Sequence, residues 1–263
     1  MTRNILRFIQ TWLLTGRMPS RRALATITKL HGRRLERRWP FLIKAEGNAL
    51  NLGFEDLLEF QYARSQHFTF LTIGAFDGLS NDPICKFIQN HHCHGIFLEP
   101  QAVAFEQLCK NYVAFPHFNF LNKAIDESSG SRDIFYIPGG IDGLPDWVEQ
   151  LASFNIEHIM KHQDTVEGLS EYIQKQTVET ISFSDLLEQF NLNRIDVLQI
   201  DAESMDAQLL KWFPFDIVKP SLLYYETAHM TSNEHHEIKN ILVNYGYQVY
   251  KAASEQDDMA VLV

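Results

Sequence analysis

Two short stretches hold residues well placed for chemistry. Phe68-Thr-Phe-Leu-Thr-Ile-Gly-Ala-Phe-Asp-Gly78 reads as a buried strand ending in a glycine turn. Gly95-Ile-Phe-Leu-Glu-Pro100 reads as a second strand, closed by the carboxylate of Glu99. In open α/β sheets ligands bind at the carboxyl ends of the strands, where an acid after the second strand commonly grips a ribose diol. Gly74 and Gly78 allow close approach of backbone to ligand. Their spacing is G-x-x-x-G, not the G-x-G-x-x-G of dinucleotide sites, and Asp77 puts negative charge where a pyrophosphate would lie. The loop therefore disfavours NAD and suits a cofactor carrying an ammonium or sulfonium group.

Further along, Asp201 and Glu203 follow an apolar run at 195–200, and Glu226 and His229 follow another at 222–225. If the sheet is doubly wound, all four share the carboxyl edge with Gly74 and Glu99. Neighbouring carboxylates push one another's pKa apart, which fits one of them to take a proton from a hydroxyl. The same oxygens could hold a divalent cation, or the acids could simply favour the N-termini of the helices that follow. His229 is a natural base near neutral pH. His91-His-Cys-His94 resembles a metal cluster, but consecutive residues at a strand start cannot all face one ion, so no metal ligand is assigned.

These residues need a scaffold that ends several strands on one edge. Helical periodicity at 54–65 leads into a strand at 68–73. A helix start at Asn81-Asp82-Pro83 follows, then a strand at 94–98, a helix at 101–113 and a strand at 118–121. A short strand at 134–137, an aperiodic segment at 146–176 and a β-like run at 177–181 come next. The 146–176 segment reads as a lid or as an irregular insertion. Ser182 or Ser184 would cap the next helix. Strands at 195–200 and 222–225 alternate with helices at 204–212 and 233–244, and strands at 247–251 and 259–263 close the chain. This alternation implies a largely parallel sheet with helices on both faces. Phe135, Tyr136, Trp147 and Phe154 are candidates to line an acceptor pocket, whereas Trp212, Phe213 and Phe215 read as core.

Charge divides the chain. Residues 1–44 carry eleven Lys/Arg against Glu36 alone, leaving 12 basic and 32 acidic residues beyond them. A basic helical arm over 1–50 is thus expected ahead of a domain over 51–263. The apolar residues at 5, 8, 9, 12 and 13 fit one helical face, too short for a membrane span. That helix is expected to pack on the acidic body, with peripheral membrane contact through residues 1–40 as the alternative. The acidic body argues against a nucleic-acid partner. Cys85, Cys93 and Cys109 supply no paired framework, which points to a reducing, cytoplasmic setting.

The runs T-I-G-A-F-D-G-L-S-N-D-P-I, F-L-E-P, N-K-A-I, V-E-T-I-S-F-S-D-L-L, L-Q-I-D-A-E-S and Y-Y-E-T-A-H-M, in this order over residues 66–263, resemble the FkbM family of S-adenosylmethionine-dependent methyltransferases. The resemblance implies the class I methyltransferase (Rossmann-like) fold, with a seven-stranded, mostly parallel sheet whose last strand is antiparallel. It implies methyl transfer to a hydroxyl of a sugar, glycan or related metabolite. Gly74, Ala75, Asp77 and Gly78 fall in the cofactor loop, Glu99 and Pro100 at the ribose, and Asn122 and Ala124 beside the adenine or the acceptor. Asp201 and Glu203 match the acidic pair after the fourth strand, and Glu226 and His229 the pair after the fifth. On this basis Asp201 or His229 takes the acceptor's proton, with Glu203 and Glu226 orienting it. Thr72, Phe76 and Ser204 stand where the family usually has Asp, Asn and Gly. The first two departures keep open a second reading, a protein that binds the cofactor with little catalysis.

Overall fold

A computed structural model describes residues 53–252 and 254–263; the basic arm and its expected helix lie outside them. The first half comprises α1 (Phe54–Arg64), β1 (Thr69–Ile73), α2 (Cys85–Asn90), β2 (His94–Leu98), α3 (Ala102–Asn111) and β3 (Phe118–Leu121). An insertion follows, with β4 (Ala124–Ile125), β5 (Gly130–Tyr136), β6 (Ala152–Ser153), α4 (Ile156–Met160) and β7 (Gln174–Ile181). The second half is α5 (Phe183–Gln189), β8 (Val197–Ile200), α6 (Asp206–Trp212), β9 (Leu222–Glu226), α7 (Ser232–Asn244), β10 (Tyr247–Lys251) and β11 (Asp257–Leu262).

The main sheet has seven strands in the order β3-β2-β1-β8-β9-β11-β10. β11 runs antiparallel to both neighbours, and the other pairings are parallel. Alternation along each strand sorts side chains between two faces. Leu71, Ile73, Ile96, Leu98, Leu198 and Ile200 pack under α5, α6 and α7. Phe70, Phe97 and Val197 meet α1, α2 and α3 on the other face. Strands covered on both sides must be apolar on both, which is why their sequences read as unbroken apolar runs. Aromatic rings crowd the second face: Phe97 stacks on Tyr112 and Phe120 and meets Phe70 and Phe118 edge-on. A Cβ at Gly95 would run into the Phe70 ring, so that strand position has room for glycine alone.

The insertion builds a second sheet, β4-β7-β5-β6, that the alternation of elements does not foreshadow. β5 pairs antiparallel with β7 over seven residues, although Ile134 is its one fully buried side chain. The segment expected to be irregular has a core of its own in Ile137, Val148, Leu151, Ile159, Val166 and Leu169. Asn155 caps α4, its side chain accepting from the Glu157 N–H. The helix expected from Asn81-Asp82-Pro83 starts later, at Cys85, because the Asp82 carboxylate first closes a turn by accepting from the Ile84 N–H. Phe213 and Phe215 are core and Trp212 packs against it, as expected. Among the described residues no helix is long and apolar enough to cross a membrane.

Candidate functional site

The carboxyl edge of the parallel strands opens into a cleft of about 920 Å³, measured out to its mouth. Its walls include Gly74, Ala75, Phe76, Glu99, Pro100, Ala124, Asp201 and Glu203. The turn after β1 is tightly held. The N–H groups of Gly74 and Ala75 both donate to the Leu98 carbonyl. Gly74 has φ +75°, and a Cβ there would strike the carbonyl oxygen of Asp201. Phe76, at φ +47°, adopts a left-handed backbone that bulky residues avoid and Asn tolerates, which accounts for the family's usual Asn.

Glu99 stabilises that strained turn. Its residue is 3 % exposed. One carboxylate oxygen accepts from the Phe76 N–H (2.8 Å) and the other from the Gln101 N–H (2.8 Å). Each oxygen keeps a lone pair, and Glu99 borders the cleft, so acceptance from ribose hydroxyls remains open to it. Burial pushes its pKa up to about 7 against the pull of those two N–H donors. A carboxyl group whose pKa is higher folded than unfolded binds its proton more tightly when folded. Its contribution to stability is complete below about 4.5 and is lost as pH climbs through 7. The protein free of ligand is thus expected to lose about 2 kcal/mol at this residue between pH 5.5 and pH 8. Scanning fluorimetry should show a falling Tm whose slope flattens in Glu99→Gln; equal slopes would exclude the assignment.

Other expected cofactor residues lie elsewhere. Asp77 is turned away from the cleft, its carboxylate accepting from the N–H groups of Leu79 and Ser80 and from the Ser80 hydroxyl. Gly78 has φ +74° and packs against Leu108 and Tyr112, where a Cβ would clash. Asn122 donates to the carbonyls of Glu99 and Pro100, fixing the β2 end from outside. Asp77 and Gly78 build the turn and Asn122 braces the end of β2; none of the three lines the cleft. Of the four candidate pocket aromatics, Phe154 alone lines it; Trp147 meets His162, and the Tyr136 hydroxyl donates to Gln174. The sequence reading passed over Asp82 and Gln199, both of which line the cleft. Their Oδ2 and Oε1 atoms are buried without hydrogen-bond partners. Burial raises the Asp82 carboxyl to about 6. Two orphan acceptor oxygens suit a ligand's ammonium group, and with the ribose-competent Glu99 they fit S-adenosylmethionine.

The acids after β8 and β9 do converge. Asp201 is exposed at the cleft. Desolvation by the cleft walls, then the charges of Asp206 and Glu203, raise its pKa above the usual carboxylate range. Glu226 rises to about 9, through burial first and then Asp206, Asp201 and Glu203. His229 lies between acids, its Nε2 3.5 Å from Glu226 Oε1 and 3.9 Å from Glu203 Oε2, and burial lowers its pKa. Glu203 (φ +46°) and Ser204 (φ +80°) are consecutive left-handed residues, so the family's usual Gly after the acidic pair has a conformational reason.

One partner of this group comes from the insertion. His158, on α4 and 1 % exposed, meets Glu203 Oε2 through Nε2 at 3.0 Å. Its ring lies edge-on to His229 at 4.4 Å, with His162 at 6.0 Å. A signal for it existed in the sequence, since His158 and His162 stand four residues apart as on one helical face. The His91–His94 run forms no such group. His91 stacks on Phe87 and pairs with Glu59, while His92 and His94 stack with each other and with His117.

A seven-stranded sheet in this order, with its last strand in the chain reversed and a glycine turn and acid at its carboxyl edge, is that of the class I methyltransferase fold. The methyltransferase FkbM domain matches residues 72–249, and the chain belongs to that family. Similar solved structures include methyltransferase FkbM from Methylobacillus flagellatus KT, at 11 % identity and TM-score 0.46, covering 74 % of this chain and 43 % of that one. An O-methyltransferase from Bacillus cereus, in complex with SAH, shares 10 % identity at TM-score 0.41, over 88 % and 91 % of the two chains. This chain thus spans less than half the length of the Methylobacillus protein. No curated protein matches it.

Proposed function

We propose that this protein transfers the methyl group of S-adenosylmethionine to a hydroxyl of a sugar, glycan or related metabolite. One observation carries the reading: the glycine turn held by Glu99 and the carboxyl group of Asp201 border the same cleft. The cofactor supplies an electrophilic methyl group, so the protein needs to align an oxygen and remove its proton. Glu99 takes the ribose hydroxyls, and Asp82 and Gln199 take the ammonium of the methionine end. Asp201 accepts the acceptor's proton as the oxygen–methyl bond forms and the sulfur–methyl bond breaks. Glu203 on the cleft wall, with Glu226 and His229 beside it, holds the acceptor.

Incubation with S-adenosylmethionine labelled in its methyl group and a panel of sugars, nucleotide sugars and glycolipids tests this directly. Label appearing as an alkali-stable methyl ether supports hydroxyl methylation. Calorimetric binding of S-adenosylhomocysteine with no transfer to any member of the panel would favour the reading in which the protein binds the cofactor without catalysis.

A further inference from the structure

We propose that His158, Glu203 and His229 bind a single first-row divalent transition-metal ion that anchors two vicinal oxygens of the acceptor beside the cofactor cleft. The ion's role rests on the methyl-transfer reading; its binding does not.

The donor atoms of these three side chains all lie within 4.8 Å of one another. Two donors each about 2.1 Å from one ion stand about 3.0 Å apart at a right angle and about 3.4 Å apart at a tetrahedral one. The observed 3.0 Å from His158 Nε2 to Glu203 Oε2 fits the first, and 3.9 Å from His229 Nε2 to Glu203 Oε2 needs a shift of half an ångström or so. The donors come from α4 of the insertion, the turn after β8 and the turn after β9, so tertiary packing alone assembles them.

A simple ion pair leaves too much unmet. His229 Nε2 stands 3.5 Å from Glu226 Oε1 and 3.9 Å from Glu203 Oε2, both longer than the usual 2.7–3.2 Å of a hydrogen bond. Glu226 Oε2 and His162 Nε2, beside the group, are buried without partners, and so is Nδ1 of the fully buried His158. A buried polar atom without a partner calls for an ion or a water, and among these three Glu226 Oε2 belongs to a side chain that His229 Nε2 itself approaches. An ion between Glu203 and the two imidazoles would engage His229 and bring Glu226 within reach as a further oxygen ligand.

The donor set selects the metal. Two imidazoles and a carboxylate suit Mn²⁺, Fe²⁺, Co²⁺, Ni²⁺ or Zn²⁺, whereas Mg²⁺ and Ca²⁺ prefer oxygen throughout. Three protein ligands leave coordination positions open, as reactive centres require. Glu203 lines the cleft beside Asp201, and the Glu203 and His229 side chains are 22 % and 24 % exposed, so those positions are reachable from the acceptor's side. Two adjacent open positions match a vicinal diol. Ligation lowers the pKa of a hydroxyl, easing the proton's passage to Asp201. The ion undergoes no redox change.

Co²⁺ provides the test. The full chain, stripped with chelator and dialysed, is titrated with Co²⁺ by calorimetry and visible absorption, and S-adenosylhomocysteine affinity is measured separately. One equivalent should bind with d–d bands, and millimolar Mg²⁺ should fail to displace it. His158→Ala and His229→Gln should each weaken Co²⁺ at least about tenfold, with S-adenosylhomocysteine affinity held within about twofold. The partly exposed His229 keeps the test valid if His158→Ala fails to fold. Co²⁺ binding weaker than about 1 mM, or unchanged in His229→Gln, overturns the proposal. Cofactor binding without Co²⁺ binding sinks the ion site alone; Co²⁺ binding without cofactor binding sinks the cofactor reading alone.

Discussion

Glu99→Gln is expected to weaken S-adenosylhomocysteine binding by about 100-fold or more at pH 8, where the wild-type carboxylate is ionised. The ionised group accepts on both oxygens, from Phe76 and from Gln101. An amide can accept on one side only; its NH₂ must then confront a backbone N–H, with which it cannot pair. Bonds to charged acceptors contribute about 1.5–3 kcal/mol each. Phe76 keeps its left-handed conformation, at φ +47°, because its N–H is pinned to Glu99. With the pin lost, the turn that carries Gly74 relaxes and ribose hydroxyls lose their acceptor as well. A 100-fold loss corresponds to about 2.7 kcal/mol, within reach of one such bond. Calorimetry on a variant shown folded by its melting curve decides it, and unchanged affinity would remove Glu99 from the cofactor site.

Asp201→Asn should lower kcat by about 10² to 10⁴-fold once an acceptor is found, the range for loss of a positioned general base. The substitution preserves shape and removes the capacity to take a proton. S-adenosylhomocysteine affinity should stay within a few-fold, because Asp201 meets the cofactor loop through its backbone carbonyl, close to Gly74. That split separates a base from a binding residue. A fall in affinity with kcat intact would instead make Asp201 a cofactor ligand and leave the proton to His229.

The main sheet was legible in the chain to an unusual degree. Expected strands at 94–98, 118–121 and 247–251 match β2, β3 and β10 residue for residue, and the other main-sheet strands differ by one or two residues at an end. Strands buried on both faces must be apolar throughout, and such runs stand out between helices. The insertion was legible only in part: the expected runs at 134–137 and 177–181 fall on the ends of β5 and β7, while their polar starts, β6 and α4 left no signal. Asp77 and Asn122 were placed by motif at the cofactor, yet each spends its side chain on a nearby backbone group. A motif gives a residue's position along the turn and says nothing of which way a short polar side chain bonds.

Sequence alone determined the order of the main-sheet strands and the helices between them, the family, and the strand ends that had to carry Glu99, Asp201, Glu203, Glu226 and His229. These follow from burial patterns and glycine turns, which are local properties of the chain. Tertiary structure decided which of those groups meet, adding His158 from 45 residues before Glu203 and the orphan oxygens of Asp82 and Gln199. Contacts of that kind depend on how an insertion docks against the sheet edge. The contacts that hold it there, such as Ser153 with Ser204 and His158 with Glu203, join residues far apart in the chain and leave no period in the sequence.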